Sequence, residues 1–237
     1  MDLAAHLQTV RQRIAAACQR CGRDPAAVTL LAVSKGQPPE SIRAAAEAGL
    51  GLFGENRVQE ARSKISQCPG GLRWHLIGHL QSNKCREAVS LFSMIQSVDS
   101  VPLAVEINKW AGHFAKTMPV LIEINIAGES SKFGCPPGQL PAALRQINSL
   151  PRLEIHGLMT VAPWTRDPEK VRPVFRRLRE LKAESEQILG AALPQLSMGM
   201  TGDFEVAVEE GATMIRLGSA LFGPRPAAQP GGGNGPE

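Results

Sequence analysis

The sequence has no tyrosine, and its aromatic residues make up only 4% of the chain. Proteins that hold single-stranded nucleic acid stack bases on such rings and track the backbone with a basic stripe. No block of five or six Lys or Arg occurs either, so the formal net charge of +4 does not describe a nucleic-acid binder. Long apolar runs are also missing: none reaches the ~20 residues that a membrane-spanning helix needs. The opening segment, MDLAAHLQTVRQRIAAACQRCG, lacks the charged start and apolar stretch of a secretion signal and reads as an amphipathic helix. The five cysteines, Cys18, Cys21, Cys68, Cys85 and Cys135, are odd in number and follow no framework spacing. Reduced thiols and a cytoplasmic location are expected. Cys18 and Cys21 form a C-x-x-C inside a helix-period stretch with no second pair or nearby histidine, so neither metal nor redox chemistry is expected there.

What is present is a regular beat. Strand-like runs occur at VTLLAVSK (28–35), GLFGEN (51–56), RWHLIG (73–78), SMIQSVD (93–99), PVLIEINI (119–126), LEIHGLMTV (153–161), QLSMGM (195–200) and TMIRLGS (213–219), with helix-period stretches between them. Runs rich in Val, Ile and Leu without clean alternation suit a parallel sheet covered on its outer face. Eight such units within 237 residues predict an α/β fold, a single-domain (β/α)8 TIM barrel with a leading N-terminal helix. A doubly wound open sheet is the alternative, disfavoured because no G-x-G-x-x-G follows the first strand. The barrel is expected over residues 1–225, and the Pro/Gly-rich residues 226–237 read as a disordered tail.

In a barrel of this kind the site is built at the C-terminal ends of the strands. There the sequence places Lys35, Glu55-Asn56-Arg57, His79, Ser97 with Asp99, Asn125, Thr160, SMGMTGD (197–203) and RLGSALFG (216–223). Bland readings compete at several of these. Asn56 and Asp203 suit helix N-caps, and Asp99 suits a turn. His75 and His156 lie inside strands and read as core histidines; His6 and His113 lie on helix-period stretches and read as solvated. His79, after Gly78 at a strand end, is a candidate to line the site. The last two segments carry the strongest signal. Gly199, Gly202 and Gly218 allow close backbone approach to an anion, Ser197 and Ser219 add hydroxyls, and barrels commonly bind phosphate after strands seven and eight. Arg216 within an apolar strand needs an acceptor or an anion to meet it. The mouth therefore offers an amine, Lys35, facing an anion cradle. Pyridoxal 5′-phosphate, with an aldehyde for a lysine Schiff base and a phosphate for the loops, joins the two. A Schiff-base aldolase acting on a sugar phosphate is the competing reading, weakened by the lack of a second lysine at a strand end.

The segments LLAVSK, FGENRVQE, WHLIGHLQSNK, IQSVDS, LIEINIAGESSKFG, GLMTVAP and LSMGMTGDFEVAVEEGATMIRLGSALFG resemble, in order and over about residues 5–225, the pyridoxal phosphate homeostasis protein family. The resemblance implies a barrel like the N-terminal domain of alanine racemase, with the cofactor held by Lys35. It also implies that Ser197, Gly199, Gly218 and Ser219 fall on phosphate-binding segments, that Arg216 contacts the cofactor, and that Asn56 and His79 flank its ring. Whether Arg216 meets the phosphate or the pyridine nitrogen is left open. Many relatives carry tyrosine where this chain has Arg57, and serine where it has Thr201. Family members are thought to buffer, carry or regulate the cofactor and to affect amino- and keto-acid balance, with acceptor enzymes as partners; a monomer is expected. A racemase-like enzyme acting on amino acids is the alternative function. Racemases of this fold use a tyrosine from a second domain on the face opposite the lysine, and this chain has no tyrosine. A holder of the cofactor without efficient turnover is therefore the expectation.

Overall fold

The strand-like runs fold as eight parallel strands that close on themselves in sequence order, β1 pairing with β8. The computed structural model describes residues 3–129 and 132–223; the expected tail at 226–237 lies outside the described residues. The strands are β1 (Thr29–Val33), β2 (Leu52–Glu55), β3 (Arg73–Leu76), β4 (Met94–Val98), β5 (Met118–Glu123), β6 (Leu153–Met159), β7 (Gln195–Ser197) and β8 (Met214–Leu217). They are shorter than the apolar runs that announced them, because the last residues of each run turn out into the loops. Around them run α1 (Leu3–Arg20), α2 (Pro39–Glu47), α3 (Val58–Ile65), α4 (Cys85–Leu91), α5 (Val101–His113), α6 (Leu140–Asn148), α7 (Arg172–Leu189), α8 (Phe204–Glu209) and α9 (Ser219–Phe222).

Burial divides into two layers. A large apolar shell between strands and helices includes Phe53, Phe92, Phe175 and Phe204. Two small clusters, Leu31 with Leu52 and Met214, and Met94 with Leu121 and Met159, lie apart from it. The leading helix α1 packs on α8 and α9. Arg13 makes a bidentate pair with Glu205, Arg23 caps the carbonyls of Val208 and Ala212, and His6 Nδ1 lies 2.8 Å from the Leu221 carbonyl. His6 is thus half-buried rather than solvated as its position on a helix-period stretch suggested. His156 is corrected in the other direction: it is half-buried and meets Glu154 at 3.2 Å, outside the core. Gly157 is required beside it, since a Cβ there would collide with the Gln195 carbonyl as β6 runs against β7.

Candidate functional site

The strand ends open into a cavity of about 620 Å³ whose wall includes Lys35, Gln37, Asn56, Met200, Thr201, Gly202, Asp203, Arg216, Gly218 and Ser219. A depression of about 270 Å³ adjoins it, sharing Asn56, Ile77 and Val161 and adding His79, Glu123, Asn125, Lys132 and Phe133. Of the eight residues expected at the site, Lys35, Asn56, Arg216, Gly218 and Ser219 line the larger cavity. His79 lies in the smaller one, stacked on Phe133 with ring centroids 3.6 Å apart and Nδ1 3.3 Å from Asp99.

Two of the eight do other work. Ser197 is fully buried and points into the barrel, where its hydroxyl donates to Gln96 Oε1 at 2.7 Å and accepts from Arg216 Nη1 at 2.8 Å. Gly199 has φ +93°, and a Cβ would stand 2.6 Å from that of Ala207; it lets the loop after β7 pack on α8. Asp203 occupies the residue before α8 without capping it, and its Oδ1 instead accepts from the Met200 N–H at 2.6 Å. Asn56 is not an N-cap either, since Arg57 holds that position before α3. Hydroxyls on the cavity wall come from Thr165, which donates to the Asp167 carbonyl, and from Thr201 and Ser219, which join the last two loops through a 3.2 Å hydrogen bond.

Lys35 stands on a tripeptide held from both sides. Lys64, reaching in from α3 with 6% exposure, donates to the Ser34 carbonyl at 2.7 Å, to Glu55 Oε1 at 2.9 Å and to Glu60 Oε1 at 2.6 Å. Ser34 Oγ donates to Glu55 Oε1 at 2.7 Å, and the Gly36 N–H donates to Glu60 Oε1 at 2.6 Å. Gly36 has φ +71°, a turn that favours glycine. Burial pushes the Glu55 carboxyl above its ordinary range, against the lowering effects of Ser34 and Lys64. The sequence missed Lys64 because a lysine four residues after Glu60 on a helix looks like a solvated pair.

Arg216 ends a chain of buried polar groups. His75 Nδ1 lies 2.8 Å from Gln96 Nε2, Gln96 joins Ser197, Ser197 joins Arg216, and Arg216 Nη2 donates to the Thr160 carbonyl at 2.7 Å. Burial lowers the guanidinium to about 10, with Glu123 and Asp203 resisting, so it stays charged at neutral pH. Burial, aided by the Arg73 charge, lowers His75 to about 4; neutral imidazole accepts from the Gln96 amide. Above its unfolded value of about 6.5 this histidine is neutral in both states and costs nothing. Below it the unfolded chain takes up the proton first, so stability falls as pH drops from 6.5 toward 4. Glu123 works in the opposite direction. Burial raises it to about 7, so its contribution is lost as pH rises from about 4.5 through 7. The two oppose each other over this pH range. Relative to the parent, His75→Gln should therefore gain about 1 kcal/mol on going from pH 7.5 to 5.5, measured by urea unfolding at both. An unchanged difference would place His75 outside this accounting.

Comparison with known proteins places the chain in a family and agrees with the fold. A family model described as the alanine racemase N-terminal domain matches residues 5–226. A pyridoxal phosphate homeostasis protein of Aquifex aeolicus (strain VF5) is 45% identical over 226 residues, covering 95% of this chain and 99% of that one. The chain belongs to the pyridoxal phosphate homeostasis protein family. A second family member, from Escherichia coli (strain K12), is 40% identical over 232 residues, with 94% and 97% covered. PipY of Synechococcus elongatus PCC7942, solved with PLP bound, has a TM-score of 0.82 at 38% identity, covering 94% of this chain and all of that one. An alanine racemase of Clostridium difficile 630 has a TM-score of 0.72 at 13% identity, covering 96% of this chain and 58% of that one; that likeness concerns the fold alone. Among the described residues no helix is long and apolar enough to cross a membrane, and no group of acidic, histidine or cysteine side chains is arranged to hold a metal ion.

Proposed function

We propose that this chain binds pyridoxal 5′-phosphate in the larger cavity and serves its homeostasis, holding the cofactor on Lys35 without efficient turnover. The observation that carries this reading is the convergence of one amine, one buried guanidinium and the hydroxyls of the last two loops on a single cavity of about 620 Å³. That donor set fits the group. When bound, the cofactor supplies an aldehyde carbon that condenses with a primary amine and releases water. Lys35, set at the end of β1 by the Ser34–Glu55–Lys64–Glu60 cluster, is the amine offered to it. Thr201 and Ser219 offer hydroxyls to the phosphate from the last two loops. Arg216 spends two of its nitrogens on Ser197 and Thr160, and its remaining N–H groups are available to an acceptor in the cavity. Trp164, 84% exposed, stands on the rim.

PipY, solved with PLP bound, and the homeostasis names of the relatives support the cofactor and its role. The lack of any tyrosine supports holding over racemisation. The test is the absorption spectrum and the mass of the purified protein before and after borohydride reduction. The expected result is a yellow protein whose reduced form carries one cofactor on the peptide containing Lys35, with both signals gone in Lys35→Ala. A colourless protein that takes up no added cofactor would overturn the reading. Solvent deuterium wash-in at Cα of amino acids, at enzyme-like rates, would overturn the holding role alone.

A further inference from the structure

Glu123 ends β5 inside the smaller depression and is 8% exposed. Among the described residues its carboxylate takes no hydrogen bond and has no cation within ion-pair distance. Asn125 follows two positions later and lines the same wall. Its amide nitrogen is used by the Glu129 and Lys132 carbonyls, at 3.0 and 3.2 Å, while its Oδ1 is buried without a hydrogen-bond partner. Glu123 is thus the acceptor on this wall unmatched by any donor, with the enclosed Asn125 Oδ1 behind it. Leaving buried acceptors unpaired costs more than a made bond returns, so a donor-rich group is what this wall would take.

We infer that the depression lined by Glu123 and Asn125 is a binding site for a small amino acid, whose ammonium group meets the Glu123 carboxylate. An ammonium supplies three donors and the counter-charge that a nine-tenths buried carboxylate requires. A divalent ion is the poorer occupant, since no metal-holding cluster occurs among the described residues. Lys132 lines the same wall and gives its ammonium to Glu129 at 3.0 Å; it leaves Glu123 unpaired while offering positive charge to a ligand carboxylate. The volume of about 270 Å³ lies just below the range of drug-sized pockets and suits a ligand of this size. Burial holds Glu123 near 7, with Arg216 across the barrel lowering it and Asp99 raising it; an arriving cation would draw it to the ionised form.

This site goes beyond the cofactor reading, and it is tested without the cofactor so that the two fail separately. The measurement is saturation-transfer NMR of the methyl group of L-alanine on the full, cofactor-free chain, with L-lactate and N-acetyl-L-alanine as controls that lack the ammonium. L-Alanine should bind, and both controls should bind at least about 10-fold more weakly, the value of a hydrogen bond to a charged group. Glu123→Gln should weaken L-alanine by a similar factor. Equal binding of L-alanine and L-lactate, no L-alanine binding, or full retention in a folded Glu123→Gln would overturn the inference. If that variant does not fold, the comparison of ligands on the parent chain still decides. Pyridoxal phosphate uptake by the same sample reports the other reading independently.

Discussion

Lys64→Met should cost about 3–5 kcal/mol of folding stability, the usual result of removing one partner from a buried ion pair. The substitution keeps the length of the side chain and its apolar stem. It removes three hydrogen bonds, to Ser34, Glu55 and Glu60, and leaves Glu55 fully buried with Ser34 as its remaining donor. Much of the cost is therefore the stranded carboxylate. Adding Glu55→Gln to Lys64→Met should recover a large part of it, because the amide carries no charge to solvate. Urea unfolding of the two variants beside the parent checks both statements, and a Lys64→Met midpoint equal to the parent's would refute them. In the double variant the Ser34 carbonyl still lacks its lysine. Lys35 is then less firmly placed, and uptake of pyridoxal phosphate should slow even where stability has returned.

Arg216→Gln should loosen cofactor retention by roughly 10–100-fold, the value of one charge-assisted hydrogen bond. The fold should lose less, because glutamine keeps an amide donor for either Ser197 or the Thr160 carbonyl. Fluorescence of Trp164 on the rim and the absorption of the bound cofactor follow retention, while urea unfolding follows the fold. Unchanged affinity in a folded variant would remove Arg216 from the site.

The strand count, the barrel and the position of Lys35 were legible in the sequence for a shared reason. Runs of Val, Ile and Leu mark strands buried on both faces, and a strand end in a barrel is also the place for chemistry. Direction at those ends was not legible. Ser197 and Gly199 lie in the right segment, but strand register turns the serine inward to Arg216, and packing against α8 occupies the glycine. His79 was correctly placed at a strand end, yet it falls in the neighbouring depression. Gln96 and Lys64 gave no signal at all, since each acquires its meaning only from side chains that are distant in sequence or folded underneath it. Glu123 was hidden by its setting in an apolar strand, where one acidic residue reads as a strand terminus.

The line from His75 through Gln96 and Ser197 to Arg216 and Thr160 has a mechanical consequence. The β7–β8 seam is the least paired in the barrel, with a single register pair, Ser197 with Met214. Arg216 spans it twice, through its backbone N–H to the Gly199 carbonyl at 3.0 Å and through its guanidinium to Ser197. The same side chain is tied onward to the carbonyl after β6. Backbone bonds from Met198 to Met214 and from Thr213 to Leu196 also close the seam, and Arg216 adds a side-chain latch from within, so opening the two loops that carry Thr201 and Ser219 also disturbs the group that faces the ligand.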